Sequence, residues 1–279
     1  MSRIQNAFKN STRGKAFIGF VTGGDPSIEK TKEFILEMIR AGADLVEIGI
    51  PFSDPIAEGP VIQEANNRAL SAGATVEKIF TLVADLRKET DIPLVFLTYV
   101  NPVFRYGLSA KTQNAQASGN SETAKQTGYD AFFKRCAETG LDGIIIPDLP
   151  FEEQQPAREA AAKHGIDLIS LIAPTSEARI KEIAKTAAGF IYLVSSMGVT
   201  GVRSEITTDL ASITVAIKSV TNVPVAIGFG IHTPEQAAQM SRIADGVIVG
   251  SAIVKIAAKH GENAAPHIYS YVKEMKDAI

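Results

Sequence analysis

Two glutamates, Glu47 and Glu58, are the residues in this chain best placed by type and setting to do chemistry. Glu47 lies in Leu45-Val46-Glu47-Ile48-Gly49-Ile50, a run whose side chains alternate between two faces when extended. Val46, Ile48 and Ile50 share the face suited to packing against helices, which leaves Glu47 and Gly49 on the opposite, inward face. A carboxylate placed there is costly unless it is paired, hydrogen-bonded or protonated. An internal ion pair would satisfy it; so would catalysis, because burial raises a carboxyl pKa into the general acid–base range. The position of Glu47 near the end of its run, where barrel active sites form, favours catalysis. Glu58 follows in Pro51-Phe52-Ser53-Asp54-Pro55-Ile56-Ala57-Glu58-Gly59-Pro60, a loop stiffened by its prolines, so that Asp54 and Glu58 are held in place. A loop acid alone is usually just solvated. Beside a second carboxylate it allows one group to act as acid while the other stays ionised.

A phosphate site is expected near the end of the chain. Gly228-Phe229-Gly230 follows a β-branched run and leads into His232-Thr233-Pro234-Glu235-Gln236, where Thr233 as N-cap, Pro234 and Gln236 form a capping-box helix start. Gly250-Ser251 follows the last such run and opens another helix. Backbone N–H groups at helix starts, uncovered by side chains, bind phosphate oxygens. Thr233 stands where a dinucleotide fingerprint would need its third glycine, so that motif is absent. Ser195-Ser196-Met197-Gly198-Val199-Thr200-Gly201-Val202-Arg203 reads as a lid that closes over bound substrate.

These groups need a scaffold, and the chain supplies a regular one. Eight β-branched runs stand out: Phe17–Val21, Leu45–Ile50, Leu94–Thr98, Gly143–Pro147, Leu168–Ile172, Phe190–Val194, Val223–Ile227 and Gly246–Val249. Amphipathic stretches separate them, at Ser27–Ala41, Val76–Glu89, Phe151–His164, Glu177–Ala187, Pro234–Arg242 and Ala252–Lys259. Parallel strands require such crossovers, and eight repeats without a second-domain break fit a closed barrel better than an open doubly wound sheet. The expected fold is α/β: a single (β/α)8 TIM barrel over residues 1–279, with an extra N-terminal helix at Ser2–Asn10 plugging the lower end. The interval between the second and third runs has room for an extra helical turn. Leu108–Gly128 has no large apolar side chain after Leu108 and reads as a mobile insertion in the loop after strand three.

Composition bounds the remaining possibilities. The chain has 279 residues, 45% of them hydrophobic, and a net charge of -3, which gives no basic patch for nucleic acid. The single cysteine, Cys136, sits in a helical pattern and reads as packing in a reducing compartment. Met1 to Lys15 is too polar for a signal peptide, and no apolar run approaches the ~20 residues of a membrane span, so a cytoplasmic location is expected. His164, His232, His260 and His267 lack ligand spacing, so no metal site is expected. No lysine occupies an obvious inward strand position for a Schiff base, and no Walker A motif is present.

The residues that carry these readings also carry a resemblance. Phe20-Val21-Thr22-Gly23-Gly24-Asp25-Pro26, Glu47 through Pro55, Ser196-Met197-Gly198-Val199-Thr200-Gly201, Gly228-Phe229-Gly230-Ile231 and Gly250-Ser251-Ala252, taken in order, resemble the α subunit of tryptophan synthase. The resemblance spans nearly the whole chain outside Leu108–Gly128. It implies a lyase reaction without cofactor, the cleavage of indole-3-glycerol phosphate to indole and glyceraldehyde 3-phosphate. It also implies an α2β2 assembly with a β subunit. By that resemblance Glu47 handles the protons at indole C3 and the adjacent hydroxyl, and Glu58 faces the indole N–H. Phe20, Leu97, Tyr99, Ile145, Ile172, Tyr192 and Phe229 match the indole pocket or its surroundings. Gly201, Gly230, Gly250 and Ser251 match the phosphate cradle, and Thr200 matches the lid residue. Asp54 and Asn101-Pro102 match the partner interface. The family usually has Asp where this chain has Glu58, which reaches one methylene further. Two other readings stay open: a stand-alone lyase releasing free indole, and a weakly catalytic barrel that mainly binds and activates the β subunit.

Overall fold

The computed structural model describes residues 2–106, 121–195, 209–228 and 230–279, with the side chains of 121–127 excepted. Its centre is a parallel sheet built from β1 (Ala16–Thr22), β2 (Leu45–Gly49), β3 (Leu94–Leu97), β4 (Gly143–Ile145), β5 (Asp167–Leu168), β6 (Ser170–Ile172), β7 (Ile191–Val194), β8 (Val225–Gly228) and β9 (Gly246–Val249). The strand order is β5-β4-β3-β2-β1-β9-β8-β7-β6, with every neighbouring pair parallel. The two ends of that order, β5 and β6, are successive pieces of one run interrupted at Ile169. Residues 167–168 pair with β4 and 170–172 with β7, so this run joins the two ends of the sheet and makes it a barrel of eight strand units.

Side-chain alternation divides the core into two layers. Val46, Ile48, Phe96, Ile144, Leu193, Ile227 and Val247 face the surrounding helices in one large apolar cluster. Ile18, Leu45, Val95, Ile145, Ile169, Tyr192, Ala226 and Ile248 fill the barrel interior in another. The surrounding helices are α2 (Ile28–Arg40), α3 (Pro60–Ser71), α4 (Val76–Leu86), α5 (Val100–Arg105), α6 (Ser121–Thr139), α7 (Gln155–Lys163), α8 (Glu177–Lys185), α9 (Leu210–Lys218), α10 (Pro234–Ser241), α11 (Ser251–His260) and α12 (Ala265–Asp277). The expected extra turn between the second and third strands is a complete helix, α3, started by Gly59 as N-cap and Pro60 in its first turn. Cys136 is buried on α6 within the outer cluster, and burial pushes its thiol pKa up, so it packs rather than reacts. The last eight residues of the 108–128 segment belong to α6; the rest of that segment lies outside the described residues. No helix among the described residues is long and apolar enough to cross a membrane.

The N-terminal helix α1 (Arg3–Asn10) closes the bottom of the barrel, as its sequence predicts. It is started by a capping box in which Ser2 and Gln5 satisfy each other's backbone donors. Its inward residues Ile4 and Phe8 join the barrel-interior cluster, and the Phe8 ring lies 5.7 Å from that of Phe190. β4 and β9 begin with glycines at this point: a Cβ on Gly143 would sit 3.1 Å from Ile4, and one on Gly246 3.0 Å from Phe8. Arg3 donates to Asp142 at 3.0 Å, and Arg87 reaches the other oxygen of the same carboxylate at 2.8 Å. Truncating Phe8 to Ala removes a buried ring where little can collapse into the space. The expected loss is about 3–5 kcal/mol of stability, read as a lowered urea midpoint with an unchanged m-value.

Candidate active site

The cavity that holds both glutamates opens at the C-terminal ends of the strands, where barrel loops converge. It encloses roughly 700 Å³, counting the space at its mouth, and its wall draws on most of the barrel. Phe20 comes from β1, Glu47 from β2, Leu97 from β3, Leu171 from β6, Tyr192 from β7 and Ile248 from β9. Pro147, Ala57, Glu58, Ile62, Gly230, Ile231, Gly250 and Ser251 complete it from the loops and helix starts. The lining is mainly apolar with few polar groups, as small-molecule sites usually are.

Glu47 is 2% exposed, and its Oε2 has no hydrogen-bond partner among the described residues. Burial first, and the charge of Glu58 second, push its pKa up to about 8. Glu58 is also buried and raised, to about 7, by burial. Its rise is opposed by hydrogen bonds from Asn66 and Tyr99, which favour the ionised form. The Asn66 amide Nδ2 donates to Glu58 Oε2 at 2.6 Å, and Gln63 Nε2 donates to the Glu58 carbonyl at 2.7 Å. Asn66 and Gln63 are one turn apart on α3, so a single helix face grips this residue by both side chain and backbone. Across the loop, the Tyr99 hydroxyl accepts the Ala57 N–H at 3.1 Å, and the Tyr99 ring packs 5.3 Å from that of Phe52.

The glycine turns at the other end of the chain differ in kind. Gly230 takes a positive φ of 94° and lines the cavity. α10 is closed by its own capping box, in which the Gln236 side chain accepts from the backbone N–H groups of His232 at 2.9 Å and Thr233 at 3.4 Å. α11 begins at Gly250 and Ser251 with no side-chain cap, so its first N–H groups remain open to an anion in the cavity. Gly228 has a separate role: a Cβ there would lie 2.4 Å from the Tyr192 hydroxyl, so the strand end must stay bare for Tyr192 to reach the cavity.

Of the residues singled out in the sequence, Phe20, Glu47, Glu58, Leu97, Tyr192, Gly230, Gly250 and Ser251 meet in this cavity. Tyr99 is buried next to Glu58 without lining the cavity, and Ile145 belongs to the barrel interior without reaching it. Ile172 requires correction. It is paired with Leu193 and faces the outer cluster, while its neighbour Leu171, paired with Tyr192, points inward. The run Leu168-Ile169-Ser170-Leu171-Ile172 is apolar at both parities, so alternation alone gave no inward face. Asp54 and Asn101 are exposed and Pro102 is half-buried, on the loop after β2 and in α5 after β3. Thr200, Gly201, Phe229 and most of the expected lid lie outside the described residues. Asn66 and Gln63 were missed; the Gly59-Pro60 helix start and their one-turn spacing were the available signal. Among the described residues no cluster of three or more His, Cys, Asp or Glu is arranged to hold a metal ion.

A family model described as tryptophan synthase alpha chain matches residues 7–279. The tryptophan synthase alpha chain of Lacticaseibacillus casei is 48% identical over 279 residues, covering 100% of this chain and 96% of that protein. The crystal structure of tryptophan synthase subunit alpha from Legionella pneumophila has a TM-score of 0.82 at 32% identity, covering 100% of this chain and 98% of that one. A chain from a structure of the tryptophan synthase α2β2 complex of Pyrococcus furiosus has a TM-score of 0.79 at 32% identity, covering 93% and 97%.

The raised pKa of Glu47 has a consequence for stability. Glu47 is neutral in both folded and unfolded chains below its ordinary pKa of 4.5, so its burial costs least there. As pH rises toward about 8 the unfolded chain ionises first, and the folded state loses stability. Glu47→Gln is therefore expected to gain on wild type between pH 5 and pH 9, by on the order of 4 kcal/mol. Urea unfolding of both proteins at the two pH values reads this difference. A constant difference would mean that Glu47 is not a buried neutral acid.

Proposed function

The chain belongs to the tryptophan synthase alpha chain family, and from that premise we propose how its cavity carries the reaction. The protein is a carbon–carbon lyase of tryptophan biosynthesis that cleaves indole-3-glycerol phosphate to indole and glyceraldehyde 3-phosphate. The observation that carries the residue assignments is the pair of buried carboxylates with opposed surroundings, sharing a mainly apolar cavity with the uncapped start of α11.

Cleavage of the bond from indole C3 to the glycerol chain needs a proton at C3 and the loss of one from the adjacent hydroxyl. Glu47, neutral near pH 7, gives its proton to C3. The ring nitrogen then carries the positive charge, and the Glu58 carboxylate faces the N–H and stabilises it. Glu47, now ionised, takes the hydroxyl proton. The C–C bond breaks, its electron pair restores the indole ring, and the aldehyde forms. Glu47 ends protonated, as it began, so no cofactor enters the proton balance. Phe20, Leu97, Leu171, Tyr192 and Ile248 enclose the ring. The N–H groups at Gly230, Gly250 and Ser251 hold the phosphate, which anchors the glycerol chain against Glu47.

The protein acts with the tryptophan synthase beta subunit. We assign the docking surface to the loop after β2 that carries Asp54 and to the start of α5, which carries Asn101-Pro102. Ile56 supports this: it is 72% exposed, a large apolar side chain two residues from Glu58. The assembly is read as α2β2, as in the Pyrococcus furiosus complex, and the location as cytoplasmic.

Glu47→Gln and Glu58→Ala are each expected to lower kcat by at least roughly 100-fold, measured as indole release from indole-3-glycerol phosphate by purified chain. Cleavage at wild-type rate in either variant would remove that residue from the mechanism. In the unmutated chain kcat/KM should rise through about pH 7 as Glu58 ionises and fall through about pH 8 as Glu47 loses its proton. Ser251→Asp sets a carboxylate against the substrate phosphate. It should raise KM at least roughly 10-fold, and inhibition by glycerol 3-phosphate should weaken in parallel.

A further inference from the structure

The two carboxylates of the cavity are served unequally by their surroundings. Two donors directed at Glu58 stabilise negative charge there, the Asn66 amide at 2.6 Å and the Tyr99 hydroxyl. The Oε2 of Glu47 has no such donor. α3 itself is held in place, because Arg68 makes two hydrogen bonds, at 2.9 and 2.7 Å, to the buried carboxylate of Asp25 in the loop after β1. Asn66 is 3% exposed, so its amide cannot turn to water instead.

We propose that Asn66 is a positioning residue of the cleavage reaction. Its side-chain amide holds Glu58 as the anion toward the ring nitrogen, and so leaves the proton shared by the two carboxyls on Glu47. This rests on the assignment of Glu58 to the ring charge and goes beyond it, since it names the group that decides which carboxyl is ionised. The chemistry demands a neutral donor. A carboxylate at position 66 would repel Glu58, and an apolar side chain would leave burial unopposed at its Oε2. Glu58 exchanges no proton in the reaction, so Asn66 acts entirely through the position and charge of its neighbour.

The test compares indole release across pH for wild type, Asn66→Leu and Glu58→Gln, with kcat and KM separated. Asn66→Leu keeps the side-chain volume and removes the donor. It is expected to shift the acid limb of the profile alkaline by about one unit and to lower kcat at pH 7 by roughly 10-fold or more. KM should change less than about threefold, because the phosphate donors lie on other elements. Activity in Asn66→Leu should partly recover as pH is raised, which a merely structural lesion would not do. If that variant fails to fold, judged by circular dichroism and melting temperature, Asn66→Ala carries the same expectation. An unchanged acid limb with kcat within twofold of wild type overturns the proposal, as does a defect confined to KM. Glu58→Gln at wild-type rate would remove the underlying assignment. A slow Glu58→Gln beside an unaltered Asn66 variant would overturn the role of Asn66 alone.

Discussion

The structure depends on keeping a carboxyl group, one of whose oxygens has no hydrogen-bond partner among the described residues, inside an apolar barrel. Water is the natural partner of such a group, and removing it costs several kcal/mol for an ionised carboxylate. The barrel meets that cost by letting Glu47 keep its proton, which makes it an acid at neutral pH. A second carboxylate in the same cavity reinforces the choice, because two like charges in one low-dielectric space oppose each other's ionisation. Apolar walls, an opening at one end and donors concentrated on Glu58 all serve this uneven sharing of charge.

The two ends of the barrel answer to different requirements. At the lower end, α1 fills the interior with Ile4 and Phe8, and the Arg3–Asp142–Arg87 group fastens the plug to the strand starts. On the same side, Lys276 of α12 reaches Asp44 and the Lys15 carbonyl, each at 2.8 Å, tying the C-terminal helix to the loop before β2. These are packed contacts whose function is stability. At the upper end, backbone donors are left open and residues are held by cross-loop bonds such as that from Ala57 to Tyr99. The contrast between α10 and α11 shows the division at close range. Two helices begin on the same side of the barrel, yet one satisfies its own first N–H groups and the other leaves them without a side-chain cap.

Much of this was legible from local pattern. Period-two alternation around Glu47 placed it on the inner face, because Val46, Ile48 and Ile50 could only pack outward. Thr233 and Gln236 announced a capping box that is present, and Ser2–Asn10 announced the plug. Pattern failed where it was ambiguous. In Leu168–Ile172 both faces are apolar, so pattern assigns no inward residue; the resemblance points to Ile172, whereas the residue that lines the cavity is Leu171. Between strands two and three, a helix with modest apolar content was read as a turn, and with it went Gln63 and Asn66.

The sequence by itself determined the architecture, the inward placement of Glu47 and the glycine turns at the cavity mouth. Each follows from neighbours in the chain, through strand alternation, helix-start chemistry or the absence of a side chain. Only the tertiary structure decided which carboxyl keeps its proton. That depends on burial and on donors from separate elements: Asn66 on α3 and Tyr99 after β3 converge on Glu58, while Glu47 meets none at its Oε2. Electrostatic free energy is set by distance through space and by the exclusion of water, and neither quantity is written in the order of residues along the chain.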